Sequence, residues 1–304
     1  MPVDDRTSTS ERNLPWFTVG IPFVGTLIAV GLAIHDGIRG WEIGLFTMMY
    51  LLTAFGVEGG LHRFFSHRAF KAGPVVTAAL AILGSMAAQG PLLFWVATHR
   101  QHHTFTDREG DPHSPCLHDG SQRGRIRALW HAHAGWLFTL RRQNWSQYVQ
   151  DLLRDRMLVK LNQYYFVWMT LGLALPAMIG WLIGNNVYSA MQGLLWGGLV
   201  RIFVLDQATW AVNSLAHAFG AQPHGDRDSS RNIAWLALFT LGGSWHNNHH
   251  AYPALARTGL RPWQIDIVGK SIELLAFIGL VKNVKKLNNG LRSTEASTKG
   301  LSNG

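Results

Sequence analysis

The sequence predicts an all-α integral membrane protein: four transmembrane helices in two hairpins, with a helical cytoplasmic cap. Three observations predict it. Only 15% of the 304 residues are charged and 47% are apolar, whereas a soluble domain carries roughly 25% charge. Mean hydropathy is still only +0.05, so apolar spans are averaged with a sizeable polar part. The 27 Lys and Arg outnumber the 18 Asp and Glu, for a net charge of +9. That suits cytoplasmic loops rich in Lys and Arg better than nucleic acid, whose basic patches sit on soluble folds. The apolar content excludes a disordered chain. A single cysteine, Cys116, excludes a disulfide scaffold.

Each element follows in order. Residues 1–12 form a polar segment without the basic start of a cleaved signal peptide. Asn13 to Ile34 holds no charge and no His. As a helix it would be about 33 Å long, enough for a hydrocarbon core of about 30 Å. A second span is expected over 41–61, with Glu42 at its head and Glu58 near its end. Ala72 to Thr98 is uncharged but broken by Gln89, Gly90 and Pro91. It reads as an interfacial or re-entrant segment, because Pro interrupts a helix. Spans are expected over 162–183 and 188–218, separated by Gly184-Asn185-Asn186. The last contains Arg201 and Asp206, and ionisable groups inside a span face protein or water. Asn232 to Trp245 is apolar but too short to cross. The polar segments 62–160 and 221–287 form the cap, and 288–304 reads as a disordered tail. Four spans put both termini and the cap on one side. Their Lys and Arg make that side cytoplasmic.

The 15 His are the oddity in such a chain. Eight lie in three clusters: His62-Arg63-Phe64-Phe65-Ser66-His67, His99-Arg100-Gln101-His102-His103 and His246-Asn247-Asn248-His249-His250. Each follows an apolar segment. Neutral imidazole binds Fe, Zn, Cu and Ni. Helical residues three or four apart share a face, so His99 with His102 or His103 can point into one cavity. The same holds for His246 with His249 or His250. Adjacent His diverge, which suits two metals. No cluster contains Cys, which argues against thiolate zinc and iron–sulfur sites. Carboxylates are not interleaved as in Glu-x-x-His di-iron bundles. An all-nitrogen dinuclear site remains. A lone His is usually a surface or hydrogen-bonded core residue, and His35, His118, His131 and His224 are read so.

At these residues the sequence resembles the integral-membrane fatty acid desaturases, most strongly the Δ9 acyl-CoA and bacterial acyl-lipid members. The three clusters stand in the order and spacing of that family's histidine boxes. Asp111-Pro112-His113-Ser114-Pro115, His133-Ala134-Gly135-Trp136, Asp151-Leu152-Leu153 with Asp155, and Thr209-Trp210-Ala211-Val212-Asn213-Ser214 leading to His217 match further family motifs. The resemblance covers roughly Gly40 to Val281. It implies two irons held by His62, His67, His99, His102, His103, His217, His246, His249 and His250, with Asn213 holding a water on one iron. It also implies an acyl tunnel that bends beside the metals, lined by Gln89, Trp95, Thr209 and Trp210. Glu58, Glu109, Asp111 and Asp206 are candidates to hold imidazoles by their other N–H. Glu58 and Asp206 could equally be structural ion pairs, for instance with Arg63 or Arg201.

The implied reaction removes two hydrogens from a saturated acyl chain, with O2 as co-substrate, and leaves a cis double bond and water. The expected partners are a fatty acyl substrate, membrane lipid and an external electron donor, a ferredoxin or a cytochrome b5-like protein. No haem, flavin or Cys-cluster motif supplies a fused donor, and no nucleic acid is expected. Animal acyl-CoA members carry an Arg-Asp pair where Ala97 and Thr98 stand here, which leaves the acyl carrier open. A membrane di-iron hydroxylase, a ketolase or a desaturase of another position would use the same metals. A His-rich metal transporter fits less well, because transport sites lie near the bilayer midplane.

Overall fold

A computed structural model describes residues 9–117, 121–139, 144–225 and 227–287. The expected tail 288–304, most of the N-terminal segment 1–12 and His118 lie outside the described residues. Helix α1 (Thr9–Asp36) and α2 (Gly40–Phe55) are joined by residues 37–39. A π-helix, Gly56–Ser66, carries α2 onward. The two-residue strand β1 (Lys71–Ala72) leads to α3 (Pro74–Met86) and then α4 (Leu92–Phe105). Helices α5 (Gln122–His133), α6 (Gln150–Leu153) and α7 (Arg156–Gln163) precede α8 (Tyr165–Gly184). Helix α9 (Val187–Gly193), a second π-helical stretch Leu194–Val200, α10 (Arg201–Ser214) and a 3-10 turn, Leu215–His217, form one continuous rod. The chain closes with α11 (Leu236–Phe239), α12 (His246–Ala251), α13 (Ile267–Phe277) and β2 (Val281–Lys282). Strand β2 runs antiparallel to β1, with Lys71 opposite Lys282.

Four segments are long and apolar enough to cross a bilayer: Pro15–Asp36, Gly40–Ser66, Tyr165–Gly184 and Val187–His217. Asn185 turns the chain between the last two with a left-handed φ of 50°, and Asn186 caps α9. These two helices cross at small residues, as membrane helices do. A Cβ on Gly193 would fall 2.2 Å from the Pro176 carbonyl oxygen. Helix α1 packs on the fourth segment, where a Cβ on Gly25 would fall 2.4 Å from Leu199 Cδ1. Helix α2 packs on it as well, through Leu45 against Gly197.

Two boundaries differ from the sequence reading. The second span does not stop at Leu61 but continues to Ser66 as the π-helix, so the first His cluster belongs to it. The third begins at Tyr165 rather than Asn162. Asn162 lies in the last turn of α7, a separate helix that Asp155 caps, and its side chain accepts a hydrogen bond from Leu93 N.

Helix α3 has 13 residues and, at about 20 Å, does not cross. The chain breaks at residues 87–91, where Ala88 and Gly90 have φ of 65° and 104°. Helix α3 lies directly on the π-helix: a Cβ on Gly56 would fall 2.4 Å from Gly84 N. The main apolar core fills the space between them, with Val57, Leu61, Phe65, Leu80, Val96 and Ile272 fully buried or nearly so. The apolar stretch from Asn232 forms only one short helix. Its Leu236 and Ala237 are buried, and Tyr50 Oη donates to the Phe239 carbonyl oxygen at 2.5 Å.

Candidate metal centre

The π-helix positions His62 and its C-cap His67, whose backbone N–H donates to the His62 carbonyl oxygen. A π-helix widens the turn and recurs at functional sites. Helix α4 supplies His99, His102 and His103, the 3-10 turn supplies His217, and α12 supplies His246, His249 and His250. These nine side chains fall into two groups. One is His62, His67, His99, His103 and His249; the other is His102, His217, His246 and His250. Within each group the ligand atoms lie within 4.8 Å of one another. Adjacent residues divide, His102 from His103 and His249 from His250, as the helical geometry requires.

The nitrogens face each other closely. His62 Nε2 is 3.0 Å from His249 Nε2, which is 3.0 Å from His103 Nε2. His67 Nε2 is 2.7 Å from His99 Nε2, and His246 Nε2 is 3.0 Å from His217 Nε2. Carboxylates fix the protons. Nδ1 of His62 lies 2.9 Å from Glu58, of His102 3.0 Å from Asp111, of His217 3.3 Å from Asp107 and of His250 2.9 Å from Asp228. A carboxylate only accepts, so Nδ1 carries the proton and the Nε2 lone pair is left free. In the His102–His250 pair both imidazoles are fixed in this way and their Nε2 atoms lie 3.4 Å apart, and two opposed lone pairs repel unless a cation sits between them. Ligands about 2.1 Å from a metal stand about 3 Å apart on an octahedron, so the donor set fits two metal ions.

Burial keeps the imidazoles ready. It lowers the pKa of His67, His99, His103, His246, His249 and His250 well below the ordinary value, and neighbouring imidazoles lower it further. His102 is pushed down to about 3 by burial and then by His217. Burial raises the Asp111 carboxyl, although His113 opposes this. Burial also opposes ionisation of Asp107, but hydrogen bonding to His217 prevails and holds it low.

Polar residues brace the frame. Arg63 is buried and pairs with buried Asp266 at 2.9 Å, while also donating to the Ala256 carbonyl oxygen. Asn248 Nδ2 donates to the Thr258 carbonyl oxygen and to Gln264 Oε1, and Asn232 Nδ2 donates to Asn248 Oδ1. Asp151 receives Arg100 at 2.7 Å and also Arg68. Arg100 in turn donates to the Phe65 and Ser66 carbonyl oxygens beside His67.

The other anticipated residues lie as follows. Asn213 is half-buried, one turn before His217. Gln89 Nε2 donates to Thr209 Oγ1 at 3.0 Å, and Trp95 Nε1 donates to Gln89 Oε1 at 3.3 Å. The Trp95 ring stacks on His99 at 5.3 Å, and Trp210 is buried. Glu58 and Asp111 reach imidazoles; Glu109 and Asp206 do not. Glu109 is exposed. Asp206 is buried beside Gln89 and Arg201, and its Oδ1 has no hydrogen-bond partner among the described residues. Asp107 and Asp228 were missed. Each meets an imidazole from a distant segment, and no local spacing marks either one.

Two imidazole groups that could each hold a metal ion, set at the ends of two membrane-length helices and on short helices beside them, define the class of protein. The sequence model of the family described as fatty acid desaturase matches residues 39–267. The chain belongs to this family and is an oxidoreductase acting on fatty acyl chains. It is 46% identical over 268 residues to the hex-5-enoyl-[acyl-carrier protein] acetylenase of Moorena producens, covering 87% of this chain and 83% of that protein. It is 34% identical over 276 residues to the sn-1 stearoyl-lipid 9-desaturase of Synechocystis, covering 89% and 80%. The sn-1 stearoyl-lipid 9-desaturase of Anabaena variabilis is 32% identical over 268 residues, covering 86% and 91%.

Proposed function

We propose that this chain is an O2-dependent di-iron desaturase that introduces a cis double bond, at the Δ9 position, into a saturated acyl chain on CoA or a membrane lipid. The observation that carries this is the pair of Nε2 groups, five and four imidazoles, with nitrogens facing at about 3 Å. His62, His67, His99, His103 and His249 would hold one iron. His102, His217, His246 and His250 would hold the other, with Asn213 contributing through a water. Bound iron supplies the O2 activation needed to take hydrogen from an unactivated methylene.

The chain's own residues do the rest. Glu58, Asp111, Asp107 and Asp228 keep Nδ1 of His62, His102, His217 and His250 protonated and their Nε2 free to ligate. Gln89, Trp95, Thr209 and Trp210 line the bend of an acyl tunnel. The Gln89–Thr209 hydrogen bond ties the turn after α3 to α10 there. Trp95 reaches from that bend to His99, so chain position and metal position are set together. Such positioning is a large part of catalytic advantage. Electrons come from an external ferredoxin or cytochrome b5-like protein. Both termini and the metal centre face the cytoplasm, where the excess of Lys and Arg belongs.

A second reading has an observation of its own. The 46% relative is named for making an alkyne on a carrier-protein-bound chain, and Ala97 and Thr98 lack the charge pair associated with CoA. In that reading the substrate is already an enoyl chain on an acidic carrier protein, which the net charge of +9 would attract. Expression in a desaturase-deficient host, with the lipid profile and double-bond positions measured, tests the first reading. A new monoenoic chain supports it. No new unsaturation from intact, iron-loaded protein overturns it. An alkyne formed only when an enoyl carrier-protein substrate is supplied selects the second.

A further inference from the structure

We propose that His133 is a positioning residue for the acyl chain: it fixes the Trp210 indole and thereby which carbon–carbon bond meets the metals. The inference rests on the tunnel reading of Trp210. His133 belongs to neither histidine group. Its ring reaches from α5 to α10, the helix on which α5 chiefly packs. Both ring nitrogens are engaged there. Nε2 lies 3.0 Å from Gln207 Oε1 and Nδ1 lies 3.0 Å from Ser214 Oγ. Gln207, Trp210 and Ser214 stand on one helical face, three and four residues apart. The imidazole spans that face and sets its edge against the Trp210 ring, at 5.9 Å and 79°. Ser214 Oγ also donates to the Trp210 carbonyl oxygen.

The neighbour of Trp210 is held by a different element. Thr209 is bonded by Gln89 from the turn after α3, while Trp210 is held by His133 from α5. Two consecutive residues at the bend are thus gripped by separate parts of the fold. The same short motif also approaches the metals. Trp136 packs against His113 at 5.4 Å, and the His113 ring lies 4.6 Å from that of His102. Packing alone would not call for an imidazole with both nitrogens engaged, since a half-buried site of this size accepts an apolar side chain.

The test is the distribution of double-bond positions in products of the wild type, His133→Ala, His133→Gln, Ser214→Ala, Trp210→Phe and the His133→Ala/Trp210→Phe double variant. The ratio of the normal isomer to isomers displaced by one methylene should fall roughly tenfold or more in His133→Ala and in Trp210→Phe. The double variant should fall no further than Trp210→Phe alone, because the two act through one contact. His133→Gln should recover part of the ratio, and Ser214→Ala should lose part of it. If His133→Ala and Ser214→Ala lower yield but leave the ratio intact while Trp210→Phe shifts it, the inference is overturned and the tunnel reading stands. If Trp210→Phe leaves the ratio intact, the tunnel reading fails and takes this inference with it. Should His133→Ala not accumulate, Ser214→Ala decides by the same ratio.

Discussion

The Nε2 atoms of His62 and His249, 187 residues apart in the chain, lie 3.0 Å apart. His249 Nε2 also faces His103 Nε2 at 3.0 Å. It is therefore a shared corner of the five-imidazole group, contacting ligands from two other helices. His249→Ala should abolish turnover and remove at least one equivalent of bound iron. His35→Ala, on an exposed side chain beside Asp36, should change neither. Metal analysis of both proteins beside a product assay checks this.

Asp228 and Asp107 hold imidazoles of the four-His group from outside. Outer-shell partners are typically worth 10–100-fold in metal affinity. Asp228→Ala should lose iron to a chelator roughly that much more readily, with the fold preserved. Glu109→Gln should behave as wild type, since Glu109 is exposed. Equal chelator sensitivity of the Asp228 and Glu109 variants would deny Asp228 its role.

Arg63 and Asp266 form a buried pair whose side chains are 1% and 0% exposed. Asp266→Ala leaves a guanidinium buried without its charge partner and should cost about 3–5 kcal/mol. The half-buried Arg257–Glu273 contact, 3.9 Å long, is a contrast. Glu273→Ala should cost no more than about 1 kcal/mol. Unfolding in detergent micelles separates the two.

Acid should destabilise the metal-free protein. His102 titrates near 3 when folded, against 6.5 ordinarily. Below 6.5 the unfolded chain takes up the proton and the folded chain does not, so folding stability falls as pH falls. The loss begins near 6.5 and is complete below about 3. His99, His249 and the other buried imidazoles shift in the same direction. Thermal unfolding of chelator-treated protein should move to lower temperature as pH drops from about 7 to 4. A flat profile would mean that these imidazoles are solvated.

Much of the imidazole cluster was legible because its members sit at helical spacing. His99, His102 and His103 declare both a shared face and a division between two imidazole groups before any fold is known. His217 did not, since one His at the end of an apolar helix looks like core and only the family motif marked it. Asp107 and Asp228 were illegible because they act across 110 and 22 residues, contacts that only tertiary folding creates. The extension of the second span past Leu61 was missed for a related reason. The segment runs on in π-helical register with Gly56 packed closely on Gly84, and neither feature leaves a hydropathy signal. Asp206 was open in the sequence between an imidazole partner and an ion pair with Arg201, and it lies beside Gln89 and Arg201.

The most direct test is the iron content of purified, catalytically active protein, read as metal per chain alongside acyl-chain desaturation. Two separate imidazole groups predict two irons per chain, with both lost together with activity on chelation. Full desaturase activity from protein that holds one iron or none would contradict it.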